Sequence, residues 1–288
     1  MKNNINGRRK FIKNSGLALG LLSLNENLLI SGEYKRSSKV VLKKLSLIND
    51  SKIECLLPMQ INKANSRWNG GVMDIYHVPN AHSTMNFIIR LSSSYASPYS
   101  KFYQSQKLER AMTSAMNCIV EVQHDDGTID LHSTNFHSTP DTAFFVNYLS
   151  PVYLTLKSLN QPRLANLIRS FENFFKKTSK CLLVGGAHTA NHRWVICSAL
   201  ARINHFFPSP KLTSRIKVWL NEGIDLDPDG QYSERSVGTY SHVCNEMFIT
   251  MGRLLNRSDL LDVARKNLDM TLYYIQPGGE VFTDASRR

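Results

Sequence analysis

Four stretches of this chain concentrate side chains that can move protons or hold a polar ligand. The first begins at His124 and runs through Asp125-Asp126-Gly127 to Asp130, His132 and Asn135-Phe136-His137. The second reads Gly185-Gly186-Ala187-His188-Thr189-Ala190-Asn191-His192-Arg193-Trp194. The third is Asp227-Pro228-Asp229-Gly230-Gln231-Tyr232-Ser233-Glu234-Arg235, with Tyr240 and His242 shortly after it. The fourth runs from Gly278-Gly279-Glu280 to Asp284. Six of the nine histidines (His124, His132, His137, His188, His192 and His242) fall in or beside these stretches, a clustering that scattered placement would not give. Glycine turns that deliver imidazole, amide, phenol and carboxylate to the mouths of helices describe a ligand-binding rim. A plainer role competes at each position. Thr189 or Asn191 suits a helix N-cap, aspartate beside glycine is ordinary turn chemistry, and Trp194 can pack in a core.

Several chemistries can be weighed on these residues. His188 and His192 are four apart, as zinc ligands on one helix face would be, but there is no HExxH and the double glycine puts the helix start near His188. No metal and no cofactor is expected. Nucleophilic hydrolysis finds no GxSxG. Hydrolysis by paired carboxylates has many candidates: Asp126, Asp130, Asp141, Asp229, Glu234, Glu280 and Asp284. β-Elimination from a uronic-acid polymer asks for an amide or arginine to neutralise the sugar carboxylate. It also needs an imidazole or phenolate to take the C5 proton, and a phenol to protonate the leaving oxygen. Asn191, His192 and Tyr240 supply that set on successive polar turns. Arg193 and Arg235 suit substrate carboxylates. Phe136, Trp194 and Tyr240 suit pyranose faces.

The elements that must position these residues are helices. Lys107 to Gln123 carries Leu108, Ala111, Met112, Ala115, Met116, Ile119 and Val120 at helical spacing. The same period predicts helices over 141–159, 164–179, 191–207, 212–220, 237–255 and 259–275, with Pro140, Pro162, Pro208 and Pro210 at the breaks. Met85 to Leu91 fits a strand or a helix equally. The glycine turns recur at Gly127, Gly186, Gly230 and Gly279, at intervals of 59, 44 and 49 residues, each about one helical hairpin. Helices two apart in sequence then point the same way, so the four turns share one end of the assembly. The expected fold is all-α, an incomplete (α/α) toroid of antiparallel helical hairpins.

Composition sets the outer bounds. The 288 residues are 42% hydrophobic and 20% charged, enough for a real core. Of the net charge of +12, +8 sits in residues 1–44, so the body is mildly basic and nucleic-acid binding is not expected. Five scattered cysteines make neither a disulfide framework nor a zinc knuckle and read as small buried residues. The body lacks an apolar run long enough to span a membrane, so no stable insertion is expected. Arg8-Arg9-Lys10-Phe11-Ile12-Lys13 before the apolar run Gly16 to Leu24 has the form of a twin-arginine export signal. Residues 1–35 are therefore read as a flexible export segment leading to a periplasmic or secreted protein. Residues 36–60 read as a linker with room for a short helix after Val40, and 61–288 as the toroid. No pattern fixes an oligomeric state.

With these residues in place, the chain resembles the heparinase II/III-like and oligo-alginate lyases. Asn191-His192 at a helix start and Asp227-Pro228-Asp229-Gly230-Gln231-Tyr232-Ser233-Glu234 through Tyr240 carry the resemblance, which covers about residues 125–288. It implies an incomplete helical toroid and an acidic polysaccharide or oligosaccharide as partner. Asn191 would neutralise the substrate carboxylate, His192 would handle the proton, and Tyr240 would serve as acid or base. Tyr232 competes with Tyr240 for the phenol role, and Asn135 with His137 forms a second amide–imidazole pair. Asn135, His137, His188, Arg193, Trp194, Tyr232, Glu234, Arg235 and His242 are expected to bind substrate. The β-sandwich that follows the toroid in this family is absent from the sequence, so the chain is expected to be truncated. The alternatives are a toroid glycoside hydrolase and a non-catalytic glycan-binding ring.

Overall fold

The computed structural model describes residues 32–284, 286 and 287; residues 1–31 of the expected export segment lie outside them. The described chain is all-α, with strands confined to short hairpins. Helix α1 spans Gly32–Leu56, where a linker was expected. Polar residues in the second half of the helix dock it. Buried Asp50 accepts from Ser94 Oγ (2.7 Å), Ser100 Oγ (2.6 Å) and Lys101 N (2.9 Å), and Asn49 Nδ2 donates to the Arg90 carbonyl (2.8 Å). Ile53 is fully buried beside them.

Helix α2 is Ala81–Ala96, which resolves the Met85 to Leu91 ambiguity in favour of helix; Asn80 caps it by accepting from His82 N and Ser83 N. Then come α3 (Gln106–Val122), α4 (Thr139–Ser158), α5 (Ala165–Val184), α6 (Ala190–Phe206), α7 (Pro210–Asn221), α8 (Tyr240–Leu254) and α9 (Ser258–Thr271). Two antiparallel pairs precede first-row helices: β1 (Val72–Met73) with β2 (Pro79–Asn80), and β3 (Ile129–Leu131) with β4 (Asn135–Ser138). A single bridge between Leu226 and Tyr232 takes their place before α8.

The helices form two rows. In the first, α2 packs on α4, α4 on α6 and α6 on α8; in the second, α3 packs on α5 and α5 on α7; consecutive helices join the rows. First-row helices run parallel, because residues at equal depth meet. His82 lies 4.0 Å from Asp141, Asn147 Nδ2 donates to the Val195 carbonyl (2.9 Å), and Arg202 Nη2 donates to Thr250 Oγ1 (3.2 Å). The N-termini of α2, α4, α6 and α8 therefore share one end. An apolar core fills the space between rows, with Tyr153, Phe171, Phe174 and Phe175 packed ring on ring, and Trp194 and Tyr232 both against Phe248.

The glycine turns set the height of that end. Gly127 and Gly230 adopt φ of +93° and +97°. A Cβ there would sit 2.2 Å from the Lys177 carbonyl and 2.6 Å from the Lys266 carbonyl, so the turns rest directly on the backbones of α5 and α9. Buried amides hold the turns from behind: Gln123 Nε2 donates to the Gly127 carbonyl and Asn267 Nδ2 to the Gly230 carbonyl, both at 2.9 Å. Gly70 makes the same contact with Ser114 on α3 and is held by Gln60. The series thus starts one repeat earlier than the four turns read from sequence.

Candidate functional site at the helix N-termini

The start of α6 is organised by a carboxylate from the loop before α8. Glu234 Oε2 accepts from the Asn191 backbone N–H (2.9 Å), and Oε1 accepts from Asn191 Nδ2 (2.7 Å). Neither Thr189 nor Asn191 caps the helix with its own side chain; Glu234, from the loop before α8, satisfies the Asn191 N–H left without a partner in the helix. Asn191 is 3% exposed. His192, the next residue, is half-buried, with Nδ1 3.4 Å from Thr189 Oγ1 and its ring edge-on to Phe144 at 6.5 Å. Burial lowers its pKa below the ordinary 6.5, against the opposing pull of Asp141 and Glu234. At neutral pH the ring is an uncharged base.

Tyr240 is the first residue of α8, its N–H on Ser236 Oγ at 3.2 Å and its side chain half-buried. Because α6 and α8 are parallel neighbours, Asn191, His192 and Tyr240 occupy first turns at the same end. Glu234 joins the two helices six residues before Tyr240.

The rim continues toward α2. His82 stands 4.0 Å from Asp141 and edge-on to Phe145 (4.7 Å), and its Nδ1 is buried without a partner. Burial lowers its pKa, Asp141 acts against this, and His132 adds to it. His132 in turn meets the edge of Trp68 at 5.6 Å. Sequence reading missed His82, although a glycine turn followed by Asn80 and a histidine at a helix start repeats the pattern at Gly186. His124, just after α3, and His137 on β4 stack at 3.8 Å. Each holds its own carboxylate: His124 Nε2 to Asp130 (2.8 Å) and His137 Nδ1 to Asp126 (2.7 Å). Burial opposes ionisation of Asp126, but the Thr128 hydroxyl and amide and His137 prevail and hold it down to about 2. Asp130 is likewise lowered: burial works against ionisation, and the His137 N–H and His124 outweigh it.

Other expected rim residues turn inward. Trp194 is fully buried against Phe248 and offers no face to a sugar. Arg193 is 4% exposed and is committed to Glu222 (3.3 Å), the Gly223 carbonyl (3.3 Å) and Asp225, with its guanidinium over Trp194. Tyr232 is 2% exposed; its hydroxyl donates to Asn245 Oδ1 (2.9 Å), which belongs to a buried chain through Asn267 to the Gly230 carbonyl. Burial pushes the Tyr232 phenol far up, so it is a structural strut and leaves Tyr240 as the accessible phenol. His188 is exposed, 3.1 Å from Glu222. His242, Arg235, Asn135 and Phe136 are also exposed, and Arg235 has a left-handed φ of +45°. Four of the cysteines are buried and Cys55 is exposed.

Among the described residues, no three His, Cys, Asp or Glu side chains are grouped to hold a metal ion, and no helix is long and apolar enough to cross a membrane. Two surface concavities, between α1 and α3 and beside Asn65, share no residue with this group. No family model and no curated protein matches the chain. One solved structure that aligns with it, a polysaccharide lyase, is 12% identical with a TM-score of 0.36, over 83% of this chain and 46% of that one. The chain spans less than half the length of that structure, and a likeness at this level assigns nothing to it.

The two depressed imidazoles make stability depend on pH. His82 and His192 bind protons more weakly folded than unfolded, so the stability linked to their neutral forms is present above about pH 6.5 and is lost as pH falls toward their lowered folded values. Thermal midpoints should fall from neutral to mildly acidic pH, and His82→Gln should flatten that slope. An unchanged slope in the variant would remove His82 from this role.

Proposed function

We propose that this chain is a polysaccharide lyase, an incomplete (α/α) toroid that cleaves a uronate-containing glycan by β-elimination after twin-arginine export. The observation that supports the reading is that Asn191 and His192 on α6 and Tyr240 on α8 start neighbouring helices, with Glu234 from the loop before α8 bonded to Asn191.

In this scheme Glu234 fixes the Asn191 amide, and that amide, buried at the helix start, would have to be uncovered for its second N–H to disperse the charge of the substrate carboxylate. His192 takes the C5 proton. The electron pair left on C5 forms the C4–C5 double bond as the C4–O bond breaks, and the Tyr240 phenol protonates the departing oxygen. Burial keeps His192 neutral, the form that a base requires. The two-carboxylate hydrolase is the weaker reading. Asp126 and Asp130 are shifted down and tied to imidazoles, so neither is held protonated as a general acid. Both Glu234 oxygens accept from Asn191.

The pH dependence of kcat/KM on an acidic polysaccharide tests the assignment of the base. The acid limb should lie below 6.5, following the lowered His192 pKa, and His192→Ala should lose about 10²–10⁴-fold in rate. An acid limb unchanged by a still-active His192 variant would remove this residue from the chemistry.

A further inference from the structure

We propose that the concavity between α1 and α3 binds a carboxylated sugar unit of an acidic glycan, apart from the Asn191–Tyr240 group, with Lys107 and Arg110 holding its charge. The choice of a sugar acid rests on the lyase reading; the anion site rests on the cavity itself.

The chain between α1 and the Gly70 turn is fixed against α3 and gives the cavity its shape. Gln60 Nε2 donates to the Gly70 carbonyl (2.8 Å) and to the Ala111 carbonyl of α3 (2.9 Å). The Ile61 N–H donates to the Gly71 carbonyl (2.8 Å), and the Gly70 N–H to the Ile61 carbonyl (2.7 Å). The space is about 730 Å³, within the range of about 300–1,000 Å³ for small-molecule sites. Pro58, Ile61 and Phe102 line it with apolar carbon. From α3 it is lined by Lys107, Arg110 and Ser114, whose spacing of three and four residues puts them on one helix face. Asn62 adds an exposed amide.

Charge in this cavity is unbalanced. Glu54, the carboxylate that lines it, is taken by Lys101. Glu109, between the two cations in sequence, pairs with Arg163 instead (3.0 Å). Glu121, the next carboxylate on α3, lies roughly 16 Å further along the helix. Lys107 and Arg110 make no hydrogen bond or ion pair among the described residues. Ser105 leaves the start of α3 without a side-chain cap, so its first N–H groups add to the positive field. Like charges three residues apart on a helix repel, and an anion received between them relieves the repulsion. A guanidinium fixes a carboxylate with two parallel bonds. The remaining lining suits a sugar ring, whose C–H face packs on apolar carbon and whose hydroxyls pair with amide and serine.

Calorimetric titration at low salt tests this, with the whole chain carrying Tyr240→Phe so that the probe is not consumed. The probes are a galacturonate trimer, its methyl ester, and tricarballylate, which has three carboxylates and no sugar ring. The trimer should bind at two sites per chain. Adding Lys107→Gln with Arg110→Gln, both exposed, should abolish one of them and leave the thermal midpoint unchanged. The methyl ester and tricarballylate should each bind that site at least roughly tenfold more weakly than the trimer. No binding of the trimer, unchanged binding in the Lys107/Arg110 variant, or equal affinity for either of the other probes would overturn the proposal. Failure of the lyase reading shows separately: the trimer then binds at one site, lost with Lys107 and Arg110, and the parent chain forms no unsaturated product.

Discussion

Tyr240→Phe is expected to lose about 10²–10⁴-fold in turnover of a uronate polymer, the range for removing one positioned acid, while substrate binding stays nearly unchanged. The phenol is half-buried at the first turn of α8, and the variant keeps its ring while removing only the proton donor. Tyr232→Phe is the informative contrast. It removes the hydroxyl that donates to Asn245 inside the core. The expected result is a loss of about 1–3 kcal/mol of stability, with activity per folded molecule retained. Binding assays and thermal melts on the two variants separate the roles. If Tyr232→Phe is the one that folds normally and loses turnover, the assignment of the phenol is reversed.

Gly127→Ala should cost about 3 kcal/mol or more, since it combines a left-handed backbone with a clash that neither partner can relieve. The new Cβ would meet the Lys177 carbonyl at 2.2 Å, and φ is +93°. For a chain of this size that corresponds to a fall of roughly 6–10 °C in Tm. The damage reaches beyond stability, because the β3–β4 hairpin and the N-terminus of α4 follow directly from this turn. Gly278→Ala is the control: nothing lies within 4 Å of its Cβ, so its midpoint should match that of the parent. Differential scanning calorimetry of both variants gives the comparison. A Gly127 variant as stable as the parent would mean that the turn does not rest on α5 as described.

Much of the helical frame is legible in the sequence because burial repeats with the helical period. The stretch predicted over Lys107 to Gln123 is α3 at Gln106–Val122, and that predicted over 191–207 is α6 at Ala190–Phe206. Asp125-Asp126-Gly127 and Asp229-Gly230 announce their turns because only glycine tolerates the backbone and the close carbonyl. The direction in which a polar side chain faces is less legible. Arg193 and Trp194 follow His192 on the same helix, yet a step of about 100° per residue turns them from the rim to the core. Tyr232 sits in a loop, where exposure is the ordinary expectation, and becomes buried only because Phe248 and Asn245 on α8 close over it. The linker reading of residues 36–60 fails for a related reason. Asn49 and Asp50 look solvated in one dimension, and their partners, Arg90, Ser94 and Ser100, lie on elements about forty to fifty residues away.

The central claim is that an amide, an imidazole and a phenol act together on one uronate. Its most direct test is to incubate the purified chain with acidic polysaccharides, following the ultraviolet absorbance of the unsaturated sugar and the release of reducing ends in the same sample. The account predicts that the two rise together. New reducing ends without the absorbance would contradict it and turn attention to the rim carboxylates.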